Sequence, residues 1–489
     1  MKTTPLPLIL LLSLLLLAPT AKAEGEVNNT YWQDQLANVS VGTDGTPTDV
    51  QVTNDNTLYT VKTALGLAWI ANITNNGSVY QEGGEGNQQL YPHQEGFKNC
   101  TVQLDADIAL SDHYWTPIGM NYTYSFNGTF DGNHKVVTGL KIIYKEGNDN
   151  RYAGLFGYLQ GDVRNLGIQV AEAGIKAEGQ NVYVGALAGY NYEGVIQNCF
   201  AIGVSGAVIG AESTRGSYCG GLIGRNTRGS ITNCYATLNV KGATTSNDKA
   251  TYAGGLVGYN DNSNIDHVYA TGKVETSGQD KSYMGGVAGY IGLNATLSHA
   301  LAANKDSIIA KNTTTSDFLG RVCGIAYTDT HCDTTTCYAS TKIRVNGKVT
   351  GVGENQYAKH FDGINADTDT DLGELFPTEG TDAVWGYPTS NSNDTPDNLP
   401  ILKGFTSNLQ GTTAKTDVFD SPLDLSTLTA NNTPTFAIDS LIFSNTEGWI
   451  HKQGSTGSRD AFSGRVKGTG TAVELAIKTD TAAVLSFAD

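Results

Sequence analysis

Carboxylates, imidazoles and thiols occur in this sequence at spacings that could do chemistry. The stretch DTDTDLGELF places acids at Asp367, Asp369 and Asp371. Alternating carboxylates can converge on Ca²⁺, a hard cation that takes oxygen ligands. Against that, Leu372 stands where a calcium loop turns on Gly, and Thr378 stands where its closing Glu belongs. A solvated acidic loop is the competing reading, so Ca²⁺ is the only cofactor considered and none is assigned. Asp105 and Asp107 share one face of any strand. They come nearest to the paired acids of a glycoside hydrolase, or the Ca²⁺ cluster of a lyase. No His precedes a Glu, so the HExxH helix of zinc proteases is absent. His267 and His299 occupy equivalent places in neighbouring repeats, which could be half a metal site with its third ligand missing; a polar column at a turn, where Asn165, Asn198 and Asn233 also fall, is the competing reading. No residue is assigned a catalytic role.

The elements that must position these groups are repeats. Tyr152 opens YAGLFGY, Tyr183 YVGALAGY, Tyr218 YCGGLIGR, Tyr252 YAGGLVGY, Tyr283 YMGGVAGY and Phe318 FLGRVCGI, 31 to 35 residues apart. A period near 33 means stacked supersecondary units. Paired Gly with Tyr, Val, Ile and Thr favours strands over helices. A second phrase follows, as VIQNCFAIGV from Val195, SITNCYATLNV from Ser230 and NIDHVYATGKV from Asn264. Alignment gives an inward column of Leu166, Cys199, Cys234, Val268, Ala300 and Cys337. A second inward column holds Ala201, Ala236, Ala270, Ala302 and Ala339. The residues between them, Phe200, Tyr235, Tyr269, Leu301 and Tyr338, take the opposite face, because strand side chains alternate. Each unit reads as one coil of a right-handed parallel β-helix, with equivalent residues about 4.8 Å apart along its axis. Gly157, Gly189, Gly224, Gly258, Gly289 and Gly324 suit corners, where φ is positive or backbones approach closely.

Of the seven Cys, Cys199 and Cys234 fall in adjacent coils of one column, within Cα reach of a disulfide. A reduced ladder of small apolar groups is the alternative. Cys332 and Cys337 flank a Thr-rich loop and form a second candidate bridge.

Leu6–Leu17 is apolar behind Lys2, and Ala21-Lys22-Ala23 supplies a cleavage site, so residues 1–23 read as a secretory signal peptide. Its removal would take the formal charge from −17 to −19. No later apolar run is long enough to span a bilayer, so the mature chain is expected to be exported, secreted or held at a cell surface. Such acidity argues against nucleic-acid partners, which need Lys and Arg on phosphates. A hydrophobic fraction of 39% with 16% charged residues excludes a disordered chain. Residues 24–54 read as an N-terminal extension and 55–151 as cap and opening coils, with a helix over 60–72. Residues 152–343 hold the repeats, 344–404 a closing segment, and 405–489 a small C-terminal β module.

YCGGLIGRNTRGSITNCYATLNV at 218–240 and YAGGLVGYNDNSNIDHVYATGKV at 252–274 resemble the GLUG-motif repeat of bacterial secreted and surface proteins. The lead-in LDADIAL, WTPIG and FNGTFDG resembles the segment that precedes such repeats, so the likeness runs over roughly 55–404. It departs at Arg321, which replaces the second Gly. The resemblance implies a β-helix at or beyond the bacterial surface, often adhesive. The motif also occurs as an accessory region in secreted proteases that cleave immunoglobulin A, and it carries no catalytic residues of its own. The expected function is therefore an adhesin-like binder of an extracellular glycan or cell-surface protein; the best binding candidate is the outward column Phe200, Tyr235, Tyr269 and Tyr338, with cover by loops between the coils as the competing reading. A carbohydrate-active enzyme and a passive stalk are the alternatives.

Overall fold

In the computed structural model the described residues are 30–38, 48–76, 95–145 and 147–345, the last with gaps at 148, 247–248, 278–280, 306–307, 311–317 and 327–335. They continue over 359–388 with gaps at 362, 367–369 and 382, then 398–419 with a gap at 412. For the strands at 359–361 and within 437–485 only the backbone is described. The signal-peptide stretch 1–23, Asp367, Asp369 and Cys332 lie outside these residues.

One coil consists of Thr251–Gly254, Val257–Asp261, Asn264–Ala270 and Val274–Thr276. Each pairs in parallel with its counterpart in the next coil, at Ser282–Gly285, Ala288–Ile291, Thr296–Ala302 and Ile308–Ala310. Repetition of this step builds the parallel β-solenoid. The register is the one the repeats predict: Cys199 pairs with Cys234, Cys234 with Val268, Val268 with Ala300, and Ala300 with Cys337. Ala201, Ala236, Ala270, Ala302 and Ala339 form the neighbouring inward column, and Leu155, Leu187, Leu222, Leu256, Val287 and Val322 another; all are fully buried. One coil alone would leave this face wet, so the core exists only by stacking.

The glycines at 189, 224, 258, 289 and 324 serve close approach, and none has positive φ. A Cβ at Gly224 would lie 2.6 Å from the Gly189 carbonyl oxygen of the coil before. The left-handed turn falls to other residues. Asn165, Asn198, Asn233, His267 and His299 occupy one column with φ of 53°, 53°, 53°, 53° and 42°. Asn and His are among the side chains that best tolerate this region. A second Asn column lies inside. Asn191 donates to Asn226 at 2.8 Å and Asn226 to Asn260 at 2.7 Å, all fully buried. Asn226→Ala should cost about 1–3 kcal/mol by leaving the Asn260 oxygen without its donor, read as a lowered urea midpoint at unchanged slope.

The ends are closed. The N-terminal helix runs over Ala64–Asn76, later than the 60–72 expected. Leu58–Val61 is instead a strand paired with Thr101–Leu104, and the Thr63 hydroxyl accepts the Gly66 N–H to start the helix. Its Leu67, Ala68, Ile70 and Ala71 are fully buried in the solenoid core. Antiparallel strands finish two edges that would otherwise recruit another chain: Val50–Val52 on Leu58–Val61, and Lys359–Phe361 on Cys323–Ala326. The C-terminal strands, from Ala437–Ile438 to Val484–Leu485, form a single antiparallel meander of six strands.

Two expectations need correction. Cys199 and Cys234 are free thiols, although they sit opposite one another. In-register parallel neighbours keep their Cβ atoms near the strand spacing of about 4.8 Å, outside the roughly 3.5–4.5 Å that a disulfide requires. The pair is instead part of the apolar ladder, and burial pushes the Cys199 thiol well above its ordinary pKa. The expected binding column is also not a surface. Phe200, Tyr235 and Tyr269 are essentially fully buried, and Tyr338 is half-buried. A strap formed by the described residues within 366–419 lies over them, contributing Leu372, Phe376, Trp385, Leu402 and Phe419. The Tyr235 hydroxyl bonds Gln410 Oε1 at 2.9 Å, and the Tyr269 hydroxyl donates to the Pro400 carbonyl at 2.9 Å. Residues 405–419, grouped by sequence with the C-terminal module, pack here as part of the strap.

Candidate binding surface

The strap covers one outer face; another face carries a different aromatic array. In the phrases at Tyr183, Tyr252 and Tyr283, a second Tyr follows seven residues later, across the Gly corner, on the adjoining strand; from Tyr152 the interval to Tyr158 is six. Tyr152, Tyr183, Tyr218, Tyr252, Tyr283 and Phe318 form one continuous stack, with centroids 4.7–4.9 Å apart and planes within 10°. Beside it run Tyr158, Tyr190, Arg225, Tyr259 and Tyr290. Arg225 takes the tyrosine place of its coil, and its guanidinium lies 5.1 Å from the Tyr190 ring, 4.9 Å from Tyr259 and 5.6 Å from Tyr218. The two columns touch across the corner, with Tyr252 edge-on to Tyr259 at 5.0 Å.

Most of this stripe is half-exposed; Tyr158 and Tyr183 are buried. Burial holds the phenols of Tyr152, Tyr158, Tyr183, Tyr218, Tyr252 and Tyr259 above their ordinary pKa, so they are neutral hydrogen-bonding groups. Burial alone would lower the Arg225 pKa; the surrounding tyrosines outweigh it and raise the net value. Stacking occupies the ring faces, and each pair contributes about 0.5–1.5 kcal/mol to coil cohesion. What faces outward is therefore ring edges and hydroxyls, repeated once per coil, with one permanent cation among them. The signal in the sequence is Tyr at both ends of YxGGLxGY, in the first phrase of the repeat.

Other groups resolve differently. Asp107 accepts the Val136 N–H at 2.7 Å, and Asp105 faces Lys62 at 3.6 Å, so these acids are spent on the backbone and an ion pair. Asp371 accepts the Gly373 N–H at 2.8 Å, and Leu372 anchors the strap. A cleft of about 450 Å³ opens between strap and coils beside Lys273, Lys305, Tyr235 and Gln410. Its cations are already paired, Lys273 with Glu275 at 3.0 Å and Lys305 with Asp417 at 3.4 Å. His267 and His299 do meet, and Asp266 joins them.

The GLUG motif matches residues 216–241 and 249–275. This chain carries GLUG repeats. The two matched units span Tyr218, Arg225, Tyr252 and Tyr259 of the stripe, and the same columns continue into the coils on either side. A protein of Evansella cellulosilytica, provisionally named a Gly-rich membrane protein, is 41% identical over 104 residues. That match covers 20% of this chain and 11% of the relative's length. A crystal structure from Bacteroides ovatus, provisionally named an immunoglobulin A1 protease, aligns over 72% of this chain and 94% of its own. It does so at 19% identity and a TM-score of 0.37. Among the described residues no helix is long and apolar enough to cross a membrane.

Proposed function

We propose that this GLUG-repeat chain is an exported, non-catalytic binding protein of the bacterial surface or its surroundings, and that its tyrosine–arginine stripe engages an extended hydroxylated polymer, a glycan. The observation that carries this reading is the stripe itself: two adjoining columns of tyrosines, most of them half-exposed, on a rigid scaffold that repeats every coil. Ring edges and hydroxyls at a fixed repeat suit a partner that is itself repetitive and rich in hydroxyls. Arg225 adds a donor pair suited to a carboxylate on that polymer. The GLUG matches and the acidic, signal-bearing sequence support an extracellular setting.

The test is retention of the purified chain on immobilised neutral and uronic-acid glycans. Tyr218→Phe, Tyr252→Phe, Tyr190→Phe and Tyr259→Phe, combined, remove the hydroxyls but keep the stack, since Phe318 already serves in that column. Retention should fall at least about tenfold, the equivalent of roughly 1.4 kcal/mol. Arg225→Gln should weaken binding to the acidic glycans selectively. Equal retention by all three proteins would rule out the stripe.

A further inference from the structure

The coil that precedes Tyr158 is interrupted beside the stripe. Ile118 bridges Phe156 in parallel, and Phe126 bridges Leu159. Residues 119–125 stand between the two bridges on the earlier coil, where the later coil has only Gly157 and Tyr158. The surplus leaves the wall as a loop, with Met120, Tyr122, Thr123 and Tyr124 exposed. Met120, Tyr122 and Tyr124 are three of the seven large apolar side chains exposed among the described residues, and Tyr122 is the most open at 66%. The other four, Val195, Val204, Leu293 and Ile364, are spread along the chain. Scattered apolar side chains are ordinary on a surface, whereas a cluster on one projecting loop marks an interaction site.

This loop is held at its root and at its tip. The Gly119 N–H donates to Asn75 Oδ1 at 2.8 Å, and the Gly119 carbonyl accepts the Tyr158 N–H at 2.7 Å. Asn121 Oδ1 accepts the N–H of Thr123 at 2.9 Å and of Tyr124 at 3.1 Å, and the Ser125 hydroxyl donates to Gln160 Oε1 at 2.7 Å. A surface fixed in this way has little ordering entropy left to lose on binding. Tyr122 also touches the stripe, its ring 5.9 Å from that of Tyr158 and 86° from its plane. Within the Tyr152–Phe318 column, by contrast, the rings stack within 10° and their faces are spent on one another. An edge-to-face contact takes at most one face of Tyr122 and leaves the other to solvent. An aromatic face carries the negative side of the ring quadrupole. The C–H bonds on the flat side of a sugar ring are its complement. The stripe thus offers edges and hydroxyls, and its N-terminal end offers a stacking face.

We propose that Tyr122 is the stacking platform at the N-terminal end of the stripe: one sugar ring of the bound glycan lies flat on its open face, and the sugars that follow run along the tyrosine columns. Met120 and Tyr124 supply further apolar surface on the same loop. This inference rests on the glycan reading and adds to it an end point and a second kind of contact. The two kinds of contact respond differently to loss of a hydroxyl. The experiment is retention of the purified chain on the same immobilised neutral and uronic-acid glycans, comparing Tyr122→Ala, Tyr122→Phe and the fourfold Tyr→Phe stripe variant. On any glycan that retains the wild type, Tyr122→Ala should bind roughly two- to tenfold more weakly, the loss of one aromatic contact. Tyr122→Phe should match the wild type, although the same change in the stripe weakens binding. Both Tyr122 variants should melt with the wild type, because the side chain is largely exposed. Full retention of Tyr122→Ala while the stripe variant weakens overturns the platform and leaves the glycan reading standing. Equal losses for Tyr122→Ala and Tyr122→Phe also overturn it, since a hydroxyl and not a ring face would then be recognised. A wild type held by none of the glycans overturns both.

Discussion

Trp385→Ala should destabilise the protein by roughly 3–5 kcal/mol, the range for emptying a buried Trp site. Trp385 is fully buried and stands at the centre of the strap's footing. Its ring lies 6.2 Å from Tyr235, 5.9 Å from Tyr269 and 4.8 Å from Phe376, and its Nε1 donates to Asn233 at 3.1 Å. Truncation removes that contact and leaves the Asn233 oxygen without the donor. The solenoid core does not depend on this side chain, because its inward columns form a separate apolar cluster. Loss should therefore appear first as lifting of the strap. Dye binding to the uncovered Phe200, Tyr235 and Tyr269 and proteolysis between 366 and 419 should rise before the β signal is lost. A melting temperature within a degree of wild type, with no new dye binding, would refute this account of the strap.

Gly258→Ala should be about as damaging, near 3 kcal/mol or somewhat more, at the top of the overpacking range. The added Cβ would lie 2.6 Å from the Gly224 carbonyl oxygen and 2.8 Å from both the N and O of Cys219. These are backbone atoms, so relief requires prising neighbouring segments apart. Gly210→Ala supplies the internal control. Its Cβ would meet nothing nearer than 3.4 Å, the Lys176 Cγ, which is side chain and can yield. The Gly258 variant should unfold at distinctly lower denaturant while the Gly210 variant stays close to wild type. Similar midpoints for the two would mean that coil spacing is more elastic than these contacts imply.

The site residues divide according to how local their determinants are. Tyr252 and Tyr259 could be placed outward from the phrase alone, because strand alternation settles which side chains leave the core. The same rule sent Tyr235 and Tyr269 outward, and correctly so. It could not show that they would be covered, since the cover arrives from Phe376 and Trp385, more than a hundred residues downstream. Nor could it join Asp266 to His267, since successive strand residues face opposite ways. The left-handed φ of 53° at His267 breaks that alternation and brings both side chains to one side. The Cys199–Cys234 pairing failed for a finer reason: Cα spacing permits a disulfide, whereas in-register parallel Cβ spacing does not.

What the sequence determined by itself is the solenoid: its period, its register and its inward columns. A residue in a stacked coil meets its own counterpart one repeat away, so contact partners can be read by aligning the chain with itself. Only the tertiary structure decided which outward columns are surface, which are the floor beneath the strap, and where a carboxylate meets two imidazoles. Those outcomes depend on a non-repeating segment and on one backbone angle per coil, and neither leaves a period to read.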